Sequence, residues 1–208
     1  MDVTALPHRT LAIVRGSDPT AALRTILILA EEGLTASEVS LTTPNALWVI
    51  EQARRELGPD ALLGAGTVVT AADAARAADA GAAFLVTPGL GPDLREAGPP
   101  GLPTFVGALT PGEVIGALAY GATAVKVFPA SLGGPPYLKA LRDPFPTVPF
   151  VPVGGVDADG AAAYLAGGAA AVGVGSPLIG DAASGGGHDG LRARAAAWRL
   201  RMAEAVAA

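Results

Sequence analysis

The stretch Ala124-Val125-Lys126-Val127-Phe128-Pro129 reads as a buried strand. It is a short β-branched and aromatic run, preceded by Tyr120-Gly121 and stopped by a proline. Side chains along a strand alternate between two faces, so Ala124, Lys126 and Phe128 point one way and Val125 and Val127 the other. A lysine is thereby set into an apolar strand, where lysine is depleted and seldom left buried. Of the 14 Lys and Arg residues, only Lys126 and Lys139 are lysines. Burial disfavours an ammonium ion, and an amine kept in a dry pocket can attack a ketone to form a Schiff base. The alternative is a lysine whose stem lies on apolar surface while its head reaches water or a carboxylate.

On both sides of this stretch, short apolar strands alternate with helical segments, the mark of a parallel sheet covered by helices. The expected strands are Leu11–Arg15, Ser37–Leu41, Leu62–Thr67, Phe84–Pro88, Thr104–Ala108, the Lys126 strand, Phe150–Gly154 and Ala171–Gly175. The helices between them carry start and stop signals. The first runs from about Asp18 to Glu32 and ends at Gly33. The second begins at Pro44, a residue suited to a first helical turn. Eight strand–helix units in 208 residues point to an α/β fold, a single (β/α)8 TIM barrel spanning residues 1–208. A doubly wound open sheet is the other candidate, but no strand is marked as its reversal point. The Gly/Ser-rich segment 180–190 is expected to be a mobile loop before a last helix over 191–206, packed through Leu191, Trp198 and Met202.

Composition narrows the function. The net charge of −5, with no basic run, argues against nucleic acid as a partner. The absence of cysteine removes disulfides, thiolate catalysis and cysteine-bound metals, and fits a cytoplasmic protein. Only two histidines occur, His8 and His188, so histidine-based zinc chemistry is poorly supported. No signal peptide and no membrane-spanning run is recognisable.

In a barrel of this type, active sites form at the carboxyl ends of the strands. Arg15, Thr67 and Pro88 fall there, and so do Gly154-Gly155 and Gly175-Ser176. Glu38 shares a strand face with Ser40 and Thr42. A carboxyl group and an amine on the inner faces of one barrel suit proton transfer during Schiff-base chemistry. Alternatively, Glu38 and Lys126 form a buried ion pair without turnover, an arrangement that is weak support for stability. The paired glycine turns after the seventh and eighth strands resemble a phosphate cradle, although each alone suits a tight turn. Arg15 is suited to gripping a carboxylate through its planar fork. Facing water at a strand end is the plainer role for it.

Five pieces, in order, resemble the class I 2-keto-3-deoxy-6-phosphogluconate (KDPG) aldolases and the related phosphogalactonate and 4-hydroxy-2-oxoglutarate aldolases. They are Glu38-Val39-Ser40-Leu41-Thr42-Thr43-Pro44, Gly64-Ala65-Gly66-Thr67-Val68, Val86-Thr87-Pro88-Gly89, Lys126-Val127-Phe128-Pro129-Ala130 and Val153-Gly154-Gly155-Val156. The resemblance implies a homotrimeric barrel with no metal or organic cofactor. By it, Lys126 would form the Schiff base and Glu38 would shuttle protons. Arg15 and Thr67 would hold the pyruvate part, Pro88 and Phe128 would line the pocket, and Gly154, Gly155, Gly175 and Ser176 would hold the phosphate. The products would be pyruvate and glyceraldehyde 3-phosphate.

Two positions depart from the gluconate-type pattern. Thr42 stands where some members carry an arginine for the substrate carboxylate, which leaves that role to Arg15. Val153 stands where gluconate-type members often have threonine, and valine there resembles the phosphogalactonate type. Two other readings remain at this level: another phosphate-binding barrel enzyme, and a non-catalytic barrel that binds a sugar phosphate.

Overall fold

The computed structural model describes residues 1–207. Its eight strands are β1 (Thr10–Val14), β2 (Ala36–Ser40), β3 (Leu62–Gly66), β4 (Leu85–Val86), β5 (Thr104–Ala108), β6 (Ala124–Val127), β7 (Phe150–Pro152) and β8 (Val172–Val174). They pair in parallel in the order β7-β6-β5-β4-β3-β2-β1-β8. The ends of this sheet meet: Val153 bridges Gly173, and the Ala170 N–H donates to the Phe150 carbonyl at 2.9 Å. That closure makes the sheet a barrel and rules out the open doubly wound alternative.

Around the barrel lie α1 (Pro19–Glu31), α2 (Ala46–Leu57), α3 (Ala71–Asp79), α4 (Pro92–Ala97), α5 (Pro111–Tyr120), α6 (Gly134–Arg142), α7 (Ala158–Ala166), α8 (Ser176–Ile179) and α9 (His188–Ala207). Their starts follow from capping chemistry. Asp18 accepts from the N–H groups of Thr20 and Ala21, and Thr70–Asp73 and Thr110–Glu113 form reciprocal capping boxes.

Strand alternation divides the apolar residues into two cores. The outward set includes Val14, Val39, Ala65, Val106, Val125 and Val174, and it packs against Ile26, Leu29, Ile50, Ala77, Val114 and Leu138 of the helices. The inward set includes Leu11, Ala36, Phe84, Phe105, Ala124 and Val151, and it fills the amino-terminal half of the barrel. Val3 and Leu6, from the lead before β1, plug that end. The Phe84 and Phe105 rings stack there with centroids 5.5 Å apart. Gly64 makes room for them, since a Cβ at that position would lie 2.3 Å from the Phe84 ring. The filled lower half leaves open space only above, at the carboxyl ends.

Three expectations need correction. Pro44 precedes α2 rather than opening it. The helix begins at Ala46 after Asn45, which takes a left-handed φ of 51° as its N-cap. Several strands are also shorter than their apolar runs: β4 has two residues, β7 and β8 three each, so Pro88 lies beyond its strand. β1 begins and ends one residue earlier than expected, at Thr10–Val14, so Arg15 too lies just beyond its strand. Finally, the last helix begins earlier than expected, after a segment that carries a short packed turn. A 3-10 turn at Ala182–Ser184 buries Ala182 and Ala183 against Gly16, where a Cβ would lie 1.8 Å from the Ala183 carbonyl oxygen. The last helix starts at His188, ahead of the expected 191, and it buries Leu191, Trp198 and Met202 as expected. The Trp198 indole N–H donates to the Thr10 hydroxyl at 2.9 Å, tying α9 to β1.

Gly64→Ala forces a methyl group into the Phe84 ring inside a packed barrel. Overpacking of this kind costs about 1–3 kcal/mol. Thermal unfolding is expected to show a Tm several degrees below wild type, with the far-UV spectrum unchanged.

Candidate active site

The carboxyl ends of the strands surround a cavity of about 520 Å³. Arg15, Thr67, Pro88, Lys126, Phe128, Val153, Gly154, Gly155, Gly175 and Ser176 all line it. The sequence-based candidates thus converge, with one exception: Glu38 lies outside the lining. The lining also includes Ile13, Thr42, Val156, Gly173, Pro177, Ile179 and Gly180. Ile13 and Gly173 are inward positions of β1 and β8. An isoleucine or a glycine in a strand carries no chemical signal of its own, and only the closed topology brings the two together.

Lys126 sits within β6 between Gly107 of β5 and Val151 of β7. Its side chain is 6% exposed, and Nζ lies 5.2 Å from the centroid of the Phe128 ring. Phe128, two residues on, therefore presents its ring to the amine. Phe128 is followed by Pro129 through a cis peptide bond.

Glu38 is 1% exposed. Its register partners are Ile13 on β1 and Gly64 on β3. Its Oε1 occupies the space beside Gly66, where a Cβ would lie 2.5 Å away, and its Oε2 is buried without a hydrogen-bond partner. Glu38 and Lys126 make no ion-pair contact, unlike the paired alternative allowed by the sequence. Burial pushes the Glu38 pKa up, and the nearby charges of Lys126 and Arg15 pull the other way without cancelling it.

Arg15 lies at the mouth, and among the described residues it has no acidic partner. Its Nε donates to the Ser40 hydroxyl at 3.2 Å and one Nη to the Thr67 hydroxyl at 3.4 Å. Ser40 also bonds the hydroxyls of Thr42 at 2.8 Å and Thr67 at 2.9 Å. Thr42, where an arginine was the expectation for some relatives, is part of this hydroxyl network. Across the cavity, Gly154 and Gly155 have consecutive positive φ angles of 97° and 73°. Side chains are excluded there: a Cβ on Gly155 would lie 2.8 Å from Ser131 Cβ. Gly175 leads into α8, whose last carbonyls, Leu178 and Ile179, accept from Arg194 at 2.8 Å each. Among the described residues, no three His, Asp or Glu side chains gather as a metal ion would need.

This arrangement offers an amine, a separate carboxyl group, a guanidinium held only by hydroxyls among the described residues, and glycine-rich turns around a cavity. It can form a carbinolamine and move protons around it. A family model for KDPG and KHG aldolase matches residues 4–185. The chain belongs to the KDPG and KHG aldolase family. Within this aldolase family, it is 38% identical over 183 residues to a protein named probable 2-dehydro-3-deoxy-6-phosphogalactonate aldolase from Rhizobium meliloti, covering 86% of each chain. It is 41% identical over 140 residues to 2-dehydro-3-deoxy-phosphogluconate aldolase from Pseudomonas aeruginosa, covering 66% of this chain and 63% of the relative. A KDPG aldolase from Legionella pneumophila, solved with pyruvate captured as a covalent carbinolamine, superimposes with a TM-score of 0.79 at 30% identity. That comparison covers 99% of this chain and 95% of the other.

The raised Glu38 pKa has a thermodynamic consequence. Between the ordinary value of 4.5 and the raised folded value, the folded aldolase holds a proton that the unfolded chain has lost. Stability contributed by this group therefore falls as pH rises through that window. Glu38→Gln is neutral at every pH. In urea unfolding it is expected to be more stable than wild type at neutral pH, with the gain vanishing below about 4.5.

Proposed function

We propose that this protein is a class I aldolase that reversibly cleaves a 2-keto-3-deoxy-6-phospho sugar acid to pyruvate and glyceraldehyde 3-phosphate. The observation that carries this reading is the buried Lys126 amine lining the cavity, together with a second buried ionisable group, Glu38, whose Oε2 has no hydrogen-bond partner. The neutral Lys126 amine attacks the C2 carbonyl, and the carbinolamine loses water to give an iminium ion. A base takes the C4 hydroxyl proton, the C3–C4 bond breaks, and its electrons flow into the iminium. The aldehyde leaves. The remaining enamine is protonated at C3 and hydrolysed to free pyruvate and the amine.

Glu38 carries the protons. A carboxyl whose pKa is raised by burial keeps its proton more readily than an exposed glutamate, which suits a group that gives a proton and takes it back. Arg15 and Thr67 hold the pyruvate carboxylate, while Pro88 and Phe128 wall the pocket. The phosphate lies on the backbone N–H groups around Gly154, Gly155 and Gly175 and on the Ser176 hydroxyl. No metal or organic cofactor enters the scheme, because the iminium is the electron sink. The apolar Val153 side chain supports a preference for the phosphogalactonate-type C4 configuration, in keeping with the name of the Rhizobium meliloti relative. The whole chain acts as one barrel domain, and family resemblance supports a cytoplasmic homotrimer.

Borohydride reduction in the presence of pyruvate is expected to leave a stable adduct on Lys126, mapped by peptide mass. Lys126→Ala should yield neither adduct nor turnover. A folded protein that binds sugar phosphate but traps no pyruvate would instead be the non-catalytic binder. Glu38→Gln is expected to lower kcat by about 10²–10⁴-fold. Val153→Thr should move the ratio of kcat/KM for the two C4 epimers toward the gluconate type by about tenfold.

A further inference from the structure

We propose that Ser40 is a positioning residue that presents Arg15 to the substrate carboxylate. This rests on the aldolase reading of the cavity. Ser40 is fully buried on the inner face of β2, two residues past Glu38, and is not itself among the cavity-lining residues. Three partners surround its hydroxyl: Arg15 Nε at 3.2 Å, Thr42 Oγ1 at 2.8 Å and Thr67 Oγ1 at 2.9 Å. A serine hydroxyl has one proton to donate and two lone pairs, so three partners use its whole capacity. Ser40 accepts from Arg15 and from one threonine, and donates to the other.

The guanidinium needs such a support. Arginine has a long side chain with much rotamer freedom to lose on binding a ligand. Arg15 is exposed and, among the described residues, has no carboxylate partner to hold it. Its side-chain hydrogen bonds go to the Ser40 and Thr67 hydroxyls, and Thr67 is itself bonded to Ser40. Both hydroxyls are neutral, so they orient the cation without neutralising it. The remaining guanidinium N–H groups stay available for an anion. An acidic residue in the place of Ser40 would hold Arg15 more tightly and compete with the substrate for its charge. A serine gives orientation at no cost in field.

The test compares two ketones. Pyruvate carries a carboxylate, whereas acetone offers a ketone without one. With cyanoborohydride and subsaturating pyruvate, Ser40→Ala is expected to trap the adduct at Lys126 about tenfold more slowly than wild type. With acetone, the two proteins should agree within about twofold, which also shows that the variant is folded with a competent amine. Ser40→Thr keeps the hydroxyl and is expected to restore the pyruvate rate. In the cleavage assay, Ser40→Ala should raise KM about tenfold with kcat changed by about twofold at most. Equal slowing with both ketones, or no slowing with pyruvate, would overturn the role given to Ser40 and leave the aldolase reading standing. Failure of the wild-type protein to trap pyruvate at Lys126 would remove both.

Discussion

A carboxyl group sealed inside the barrel without a hydrogen-bond partner for Glu38 Oε2 sets the terms for the rest of the site. An unsatisfied buried polar group costs about 1–3 kcal/mol, so such groups stay few and demand a reason. The fold bears this one by keeping it uncharged more readily than an exposed glutamate, and by clearing space around it. Gly66 on the adjoining strand gives the carboxyl its room. The same device recurs around the barrel. Gly64 yields to the Phe84 ring, Gly107 to the Pro88 carbonyl and Gly173 to the Val153 side chain. Each inward glycine on one strand receives a group from a neighbour, and the cavity is what remains above them.

The electrostatics of that cavity run against those of the chain. The protein has a net charge of −5, yet among the described residues the cavity lining holds two basic side chains, Arg15 and Lys126, and no acidic one. Basic groups gathered in one cleft without acidic neighbours favour anions there. The two sides of the mouth differ in chemistry: a guanidinium on the β1 side, and glycine-rich backbone on the side of β7 and β8. A ligand with a carboxylate at one end and a phosphate at the other would be bound in a single direction.

Much of this was legible in the residues. Strand alternation put Lys126, Glu38 and Ser40 on inner faces before any coordinates, because the two-residue period is a local property. The first helix's start at Asp18 followed from a side chain that acts within four positions. The closed barrel was also read correctly, but from the count of eight strand–helix units and not from any local pattern: closure depends on β7 meeting β8, elements at the two ends of the sheet, and no periodicity encodes that meeting. What escaped was which side chains that closure and the other strand pairings bring into contact. Ser40 was visible as a neighbour of Glu38, but a serine in a strand is ordinary until Arg15 and Thr67 arrive from other strands. Pro44 misled for the opposite reason: a generic preference for the first helical turn yielded to the left-handed Asn45 that actually starts α2.

The β7–β8 seam carries less backbone pairing than the other seams: it has a single bridge, at Val153 and Gly173, where the others have two to five register pairs. Both bridging residues also face the cavity. The barrel is therefore a ring with a clasp, and the clasp is part of the binding site. Fluctuations that part β7 from β8 break fewer bonds than those elsewhere in the ring, which makes this the natural place for the amides to exchange with solvent first. An occupant of the cavity touches both sides of the clasp, so it favours the fastened state by mass action. Occupancy of the site and integrity of the ring are then one equilibrium, read at the amides of β7 and β8.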